Sequence, residues 1–258
     1  TRKESSAASD VYKRQLLDAS DRGASDLTVA GKLFCDRFPP DKIPALPTCG
    51  IFLRREFPLK NNLEFPEGIH PCEDGLFSHF VLALTEKISF CPEAVYHYRQ
   101  HEQGNHHQIR KRTADILPMI PRWLSLIEQF YEQRHLWKRK AGHLVRFIEH
   151  EPFELRLLGM PFSPPEQEIL YSIIRDFLTA HCTAAECRRA SLHLPFRLLL
   201  QSSGFSDFGR RLRRAGKNTG IRRKLLHFCP VPSWRRNGRA QLRQVREQLE
   251  EIRRNITF

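Results

Sequence analysis

CGIFLRREFPLKNNLEFPEGIHPCEDGLFSHFVLALTEKISFCPEAVYHYR, residues 49–99, is the stretch on which the fold reading turns. Its middle, Glu73 to Glu86, carries apolar residues at 76, 77, 80, 81 and 84, the spacing of one helical face. Glu73 and Asp74 open that face, where a helix favours carboxylates. Asn61-Asn62, Pro66 and Gly68 ahead of it are turn signals. Ile88–Phe90 and Ala94–Arg99 flank Pro92-Glu93 and predict two short strands. Cys49–Leu53 is a short apolar run that suits either a strand or the start of a helix.

Upstream, Leu16 to Leu46 is rich in Asp, Gly and Pro and reads as loop, with a strand-like patch at Lys32–Cys35. Residues 5–15, SSAASDVYKRQ, resemble a translated sequencing-library adaptor, so natural sequence is expected to start near Leu16. Downstream, His101–His107 reads as loop. Helical spacing then recurs in Ala114–Glu132, Trp137–His150, Glu166–His181 and Ala184–Leu200, broken at Pro152, Pro161 and Pro164-Pro165. The expected division is 1–15 adaptor-derived, 16–110 catalytic remnant, 111–205 helical extension and 206–258 basic tail.

The 258 residues carry 42 Lys plus Arg against 29 Asp plus Glu. The excess is local. Arg188 to Phe258 holds 18 basic and 4 acidic residues, whereas the first 187 hold 24 and 25. A partner inferred from charge therefore belongs to the last third. A hydrophobic fraction of 40% excludes wholesale disorder. The longest apolar runs, such as Phe80–Leu84, fall far short of the roughly 20 residues of a membrane span. Seven cysteines include no Cys-x-x-Cys pair, and Cys182 and Cys187 have neither zinc-knuckle nor redox-motif spacing. The bland expectation is reduced thiols in a cytoplasmic protein.

An aspartate in a first helical turn sits among unsatisfied N–H groups and at the positive end of the helix dipole. Such a carboxylate can take a proton from an acceptor hydroxyl. It can equally be an ordinary acidic cap.

The quoted block resembles the C-terminal part of the catalytic domain of family 2 glycosyltransferases, the inverting GT-A enzymes. The matching pieces are IFLRREF (51–57), LEFPEG (63–68), the Glu73-Asp74 pair with its helix, KISF (87–90) and VYHYR (95–99). Their order and spacing agree over about fifty residues, a fifth of the chain. The resemblance implies an α/β remnant, the C-terminal part of a GT-A Rossmann-like domain, followed by a mainly α-helical extension. It implies Asp74 as catalytic base, with Glu73 as its structural or acceptor-binding neighbour. Arg99, and less directly Arg54 and Arg55, would face donor phosphates, although Arg54 and Arg55 also suit plain surface charge.

The family's nucleotide-binding half, with its P-x-[YF]-N strand and metal-holding D-x-D, has no counterpart here. A divalent metal (Mg or Mn) is expected in the intact enzyme, but the D-x-D ligands are absent from this chain. The expected role is thus an inactive fragment of an enzyme that takes a nucleotide-sugar donor and a glycan acceptor. His106 or His107 could supply a metal ligand, or form an exposed loop pair. His97, His101, His106 and His107 lack the paired spacing of a zinc site.

Arg210, Arg211, Arg213, Arg214, Arg222, Arg223 and Lys224 make the tail polycationic. Residues 239–254 carry a narrow apolar stripe through Leu242, Val245, Leu249 and Ile252. Such a tail suits an anionic membrane surface, which fits a peripheral location at the inner face. It also suits plain solvation. Nucleic acid is disfavoured, because no nucleic-acid fold signature is present. The competing non-enzymatic reading is a basic helical interaction module in which Glu73-Asp74 only caps a helix.

Overall fold

In the computed structural model the described residues are 51–85, 112–191 and 193–225, with Ala45 and Arg243 in isolation. They form helices joined by turns, and no strand occurs among them. This corrects the α/β expectation. Ile51–Leu53 has no regular secondary structure. Lys32–Cys35, Ile88–Phe90 and Ala94–Arg99 lie outside the described residues. The physical reason lies in the apolar helix of the quoted block, which buries its side chains against other helices.

The chain divides into two compact units, 1–147 and 148–258. In the first, a short helix α1 (Glu56–Lys60) leads through the Asn61-Asn62 turn to α2 (Glu73–Leu84). Every residue from Gly75 to Ala83 is buried. A helix apolar nearly all round must be covered nearly all round. Part of the cover is α4 (Met119–Gln133), against which α2 packs; α3 (Thr113–Ile116) precedes it and α5 (Ala141–Ile148) follows. Phe80 stacks on Phe130 with ring centres 4.2 Å apart. His79 lies flat against His143 at 4.2 Å, and both rings are fully buried. The helix expected over Ala114–Glu132 is two helices, because Pro118 removes an N–H donor and stands at the N-terminal boundary of α4. The helix expected from Trp137 starts only at Ala141.

The second unit opens with a π-helix, Glu149–Leu158, with Pro152 inside it. The sequence reading took Pro152 as a break. Proline lacks the N–H and its ring collides with the carbonyl four residues back in an α-helix. The wider i to i+5 turn relieves that collision and keeps the chain helical. Next come α6 (Pro164–His181), α7 (Ala184–Ala190), α8 (Leu194–Gln201) and α9 (Phe205–Leu225). A capping box starts α6: Ser163 N donates to Glu166 at 2.7 Å, with Pro164 suited to the first helical position. A second box starts α7, with Glu186 N donating to Thr183 Oγ1 at 3.2 Å. The single helix expected over 184–200 is thus split at Ser191–His193, and Pro195 sits in the first turn of α8. The core of this unit is aromatic. Phe153 meets Phe196 at 5.0 Å and Phe208 at 6.2 Å, while α6 packs on the π-helix, α8 and α9.

The Arg-dense stretch read as tail begins within α9. Phe205, Phe208, Gly209 and Leu212 face inward, while Arg210, Arg213, Arg214 and Lys217 are exposed. The expected terminal helix over 239–254 lies outside the described residues except for Arg243, which is helical and exposed.

Candidate functional site

The acidic pair is held at the start of α2 by a well-anchored approach. Arg134 of α4 donates to the Asn61 carbonyl at 2.7 Å and lies over the Phe130 ring at 4.4 Å. Leu63 and Ile69 are buried, and Phe65 stacks on Phe77 of α2 at 4.1 Å. Gly68 sits at φ +65°, the left-handed conformation a glycine adopts without a Cβ penalty. Cys72 takes the N-cap position at φ 88°, a costly conformation for a side-chain-bearing residue. It turns the chain sharply so that Glu73 and Asp74 occupy the first turn.

Asp74 is exposed, although the nine residues that follow it are buried. Its Oδ1 accepts from the Gly75 N–H at 2.8 Å. Glu73 is half-buried, with Oε2 3.4 Å from Nδ1 of His70. The arrangement therefore presents one accessible carboxylate at the positive end of a helix, beside a second carboxylate with an imidazole partner. It can act as a proton acceptor toward a hydroxyl group. The same geometry satisfies a helix cap.

Arg54 and Arg55 are both exposed just ahead of α1. Arg99, His106 and His107 lie outside the described residues. Among the described residues no three His, Cys, Asp or Glu side chains converge on a point that would hold a metal ion.

Two groupings were not legible from spacing. The first is a polar cluster in the second unit. Glu149 Oε1 accepts from the His193 N–H at 2.7 Å, and Glu154 reaches His193 at 3.3 Å and His150 at 3.7 Å. Arg156 donates to Glu151 at 2.9 Å in a buried pair. The π-turn explains the pairing, because it aligns residues five apart: Glu149 with Glu154, and Glu151 with Arg156. Burial works against charge on His150. The hydrogen bond to Glu154 and the nearby carboxylates of Glu151 and Glu154 outweigh it and raise its pKa. A sequence pattern read at period 3.6 misses such partners. The second grouping is the thiol pair Cys182 and Cys187.

On α9, Asp207 receives Arg211 at 2.8 Å and Arg210 at 3.2 Å. The Arg211 bond, with the Ser203 N–H, holds its carboxyl down to about 2. No described helix is long and apolar enough to cross a membrane. Compared with known proteins, the chain matches no family model, no curated protein and no solved structure.

Proposed function

We propose that the intact protein transfers a sugar from a nucleotide-sugar donor to a saccharide or lipid-linked acceptor in cell-surface polysaccharide synthesis. Asp74 would remove the acceptor hydroxyl proton as that oxygen attacks the anomeric carbon. The nucleoside diphosphate would leave from the opposite face, inverting the centre. Glu73 would orient the acceptor, and Arg99, with Arg54 or Arg55, would face the donor phosphates. The observation that carries this reading is the exposed Asp74 at the head of an otherwise buried helix, inside the ordered motif set of residues 51–99. A plain cap does not require that exposure. This chain alone, with no D-x-D in its sequence, is proposed to be inactive. The proposed location is cytoplasmic, peripheral at the inner membrane face, held by the cationic α9 and the residues after it.

The test is Asp74→Asn in the complete gene, followed as nucleoside diphosphate release with a panel of sugar donors. A loss of about 100-fold or more in kcat with unchanged folding is expected for a removed base. Full activity would refute the assignment.

A second reading is favoured by the helical character of the described residues and by the exposed arginines of α9. In it the chain is a non-enzymatic helical module that binds anionic surfaces. Co-sedimentation with phosphatidylserine vesicles and none with neutral vesicles would support it, together with no nucleoside diphosphate release by the unaltered full-length protein. Equal recovery in both supernatants would sink it.

A further inference from the structure

Cys182 ends α6 and Cys187 lies in α7, five residues on, across the sharp junction capped by Thr183. The turn brings together two thiols whose spacing matches no redox motif. Both are free thiols. Cys187 is buried and Cys182 half-buried, yet both line one cavity of about 180 Å³. Arg175, Arg188 and Arg197 line the same cavity, with Leu178 and Leu200 as its apolar wall. No carboxylate lines it. The neighbouring Cys182 thiol favours a thiolate on Cys187 and outweighs burial and the Glu186 carboxylate, which oppose it, with a smaller favourable contribution from Arg188. The neighbouring Cys187, together with burial, keeps the proton on Cys182.

We propose that this is a dithiol exchange site for anionic low-molecular-weight disulfides, drawn in by the three arginines. The Cys187 thiolate attacks one sulfur of the incoming disulfide. The external S–S bond breaks, a mixed disulfide forms on Cys187, and the departing thiolate takes up a proton. Cys182 then gives up its proton and attacks the Cys187 sulfur. The second external thiol leaves, and a Cys182–Cys187 disulfide remains. Two protein thiols are oxidised and one external disulfide is reduced to two thiols, so no other oxidant is needed. Three guanidinium groups around a small concave site concentrate an anion by electrostatic focusing.

Trypsin cleavage after Arg175 and Arg188 releases both cysteines in one peptide, residues 176–188. The reduced full chain is exposed to oxidised glutathione, an anionic disulfide, or to cystamine, a cationic one. Remaining thiols are then alkylated and the digest is weighed. Oxidised glutathione should yield peptide 176–188 lighter by two hydrogens and unalkylated, about tenfold faster than cystamine. Arg188→Gln, at an exposed position, should shrink that ratio, read on peptide 176–189 because the variant loses the cut after 188. Cys182→Ser should stop the reaction at a glutathione adduct on Cys187. A peptide 176–188 that keeps two alkylated cysteines would overturn the proposal, as would equal rates for the two reagents on the unaltered chain.

Discussion

Each unit buries polar groups, and the two do it with different chemistry. In the first, Tyr131 OH sits 3.2 Å from His79 Nε2 and 3.5 Å from His143 Nδ1, among stacked rings. A hydroxyl can donate to one imidazole and accept from the other. In the second, Glu149, Glu151, Glu154, His150, Arg156 and His193 form a network of carboxylates and cations on and beside a π-helix. The lesson concerns what removal of one member does. A lost hydroxyl leaves an imidazole short of one hydrogen bond. A lost cation leaves a buried carboxylate without compensation, which costs more.

The sharpest way to break the comparison is Arg156→Met, which strands Glu151. Urea unfolding should show a loss of about 3 kcal/mol. The double change with Glu151→Leu should recover most of it, since a buried pair is often replaceable by apolar side chains. If the double variant is no better than the single, the charge account is wrong. Tyr131→Phe in the first unit should cost about 1.5 kcal/mol by the same measurement, from one lost buried hydroxyl. A loss equal to that of Arg156→Met would erase the distinction between the units. Thr183→Ala removes the α7 cap, outside both clusters, and should cost about 1 kcal/mol. It gives the scale of an ordinary local contact.

The smallest effect is a tilt with pH. His150 titrates above its ordinary 6.5, so its charged form is favoured by folding. Its contribution is complete below about pH 6.5 and is lost as pH rises through the raised value. Glu151 and Glu154 favour that charge and Arg156 opposes it. His150→Gln should flatten the stability profile above 6.5 and leave the profile of the first unit unchanged. A wild-type profile already flat between pH 6 and 8 would dismiss the assignment.

Several elements were legible directly. The 76, 77, 80, 81, 84 spacing placed α2 within two residues of its ends, and the helix expected over Glu166–His181 is α6, which starts two residues earlier. Others failed for identifiable reasons. Pro152 was read as a stop because a proline rule built on α-helices takes no account of a π-turn. Positions 184–200 were read as one helix because apolar spacing continues across the Ser191–His193 corner. At the candidate site, the sequence placed Glu73 and Asp74 at a helix start. That only Asp74 is exposed, with Glu73 beside His70, depends on the left-handed Cys72 corner. No local signal announces a positive φ at a cysteine.

The sequence by itself determined the helical segments, the acidic start of α2 and the concentration of positive charge after Arg188. Those are properties of spacing and count, which the chain carries wherever it goes. Tertiary structure alone decided what the apolar run of α2 packs against, and among the described residues it was α4. Periodicity reports which side chains leave water, because the hydrophobic effect is non-directional, and says nothing of the partner. It likewise alone decided that His150, Glu154 and His193 meet, and that Cys182 and Cys187 line one cavity with three arginines. Those contacts come from a wide helical turn and a capped corner, which set distances that residue spacing does not record.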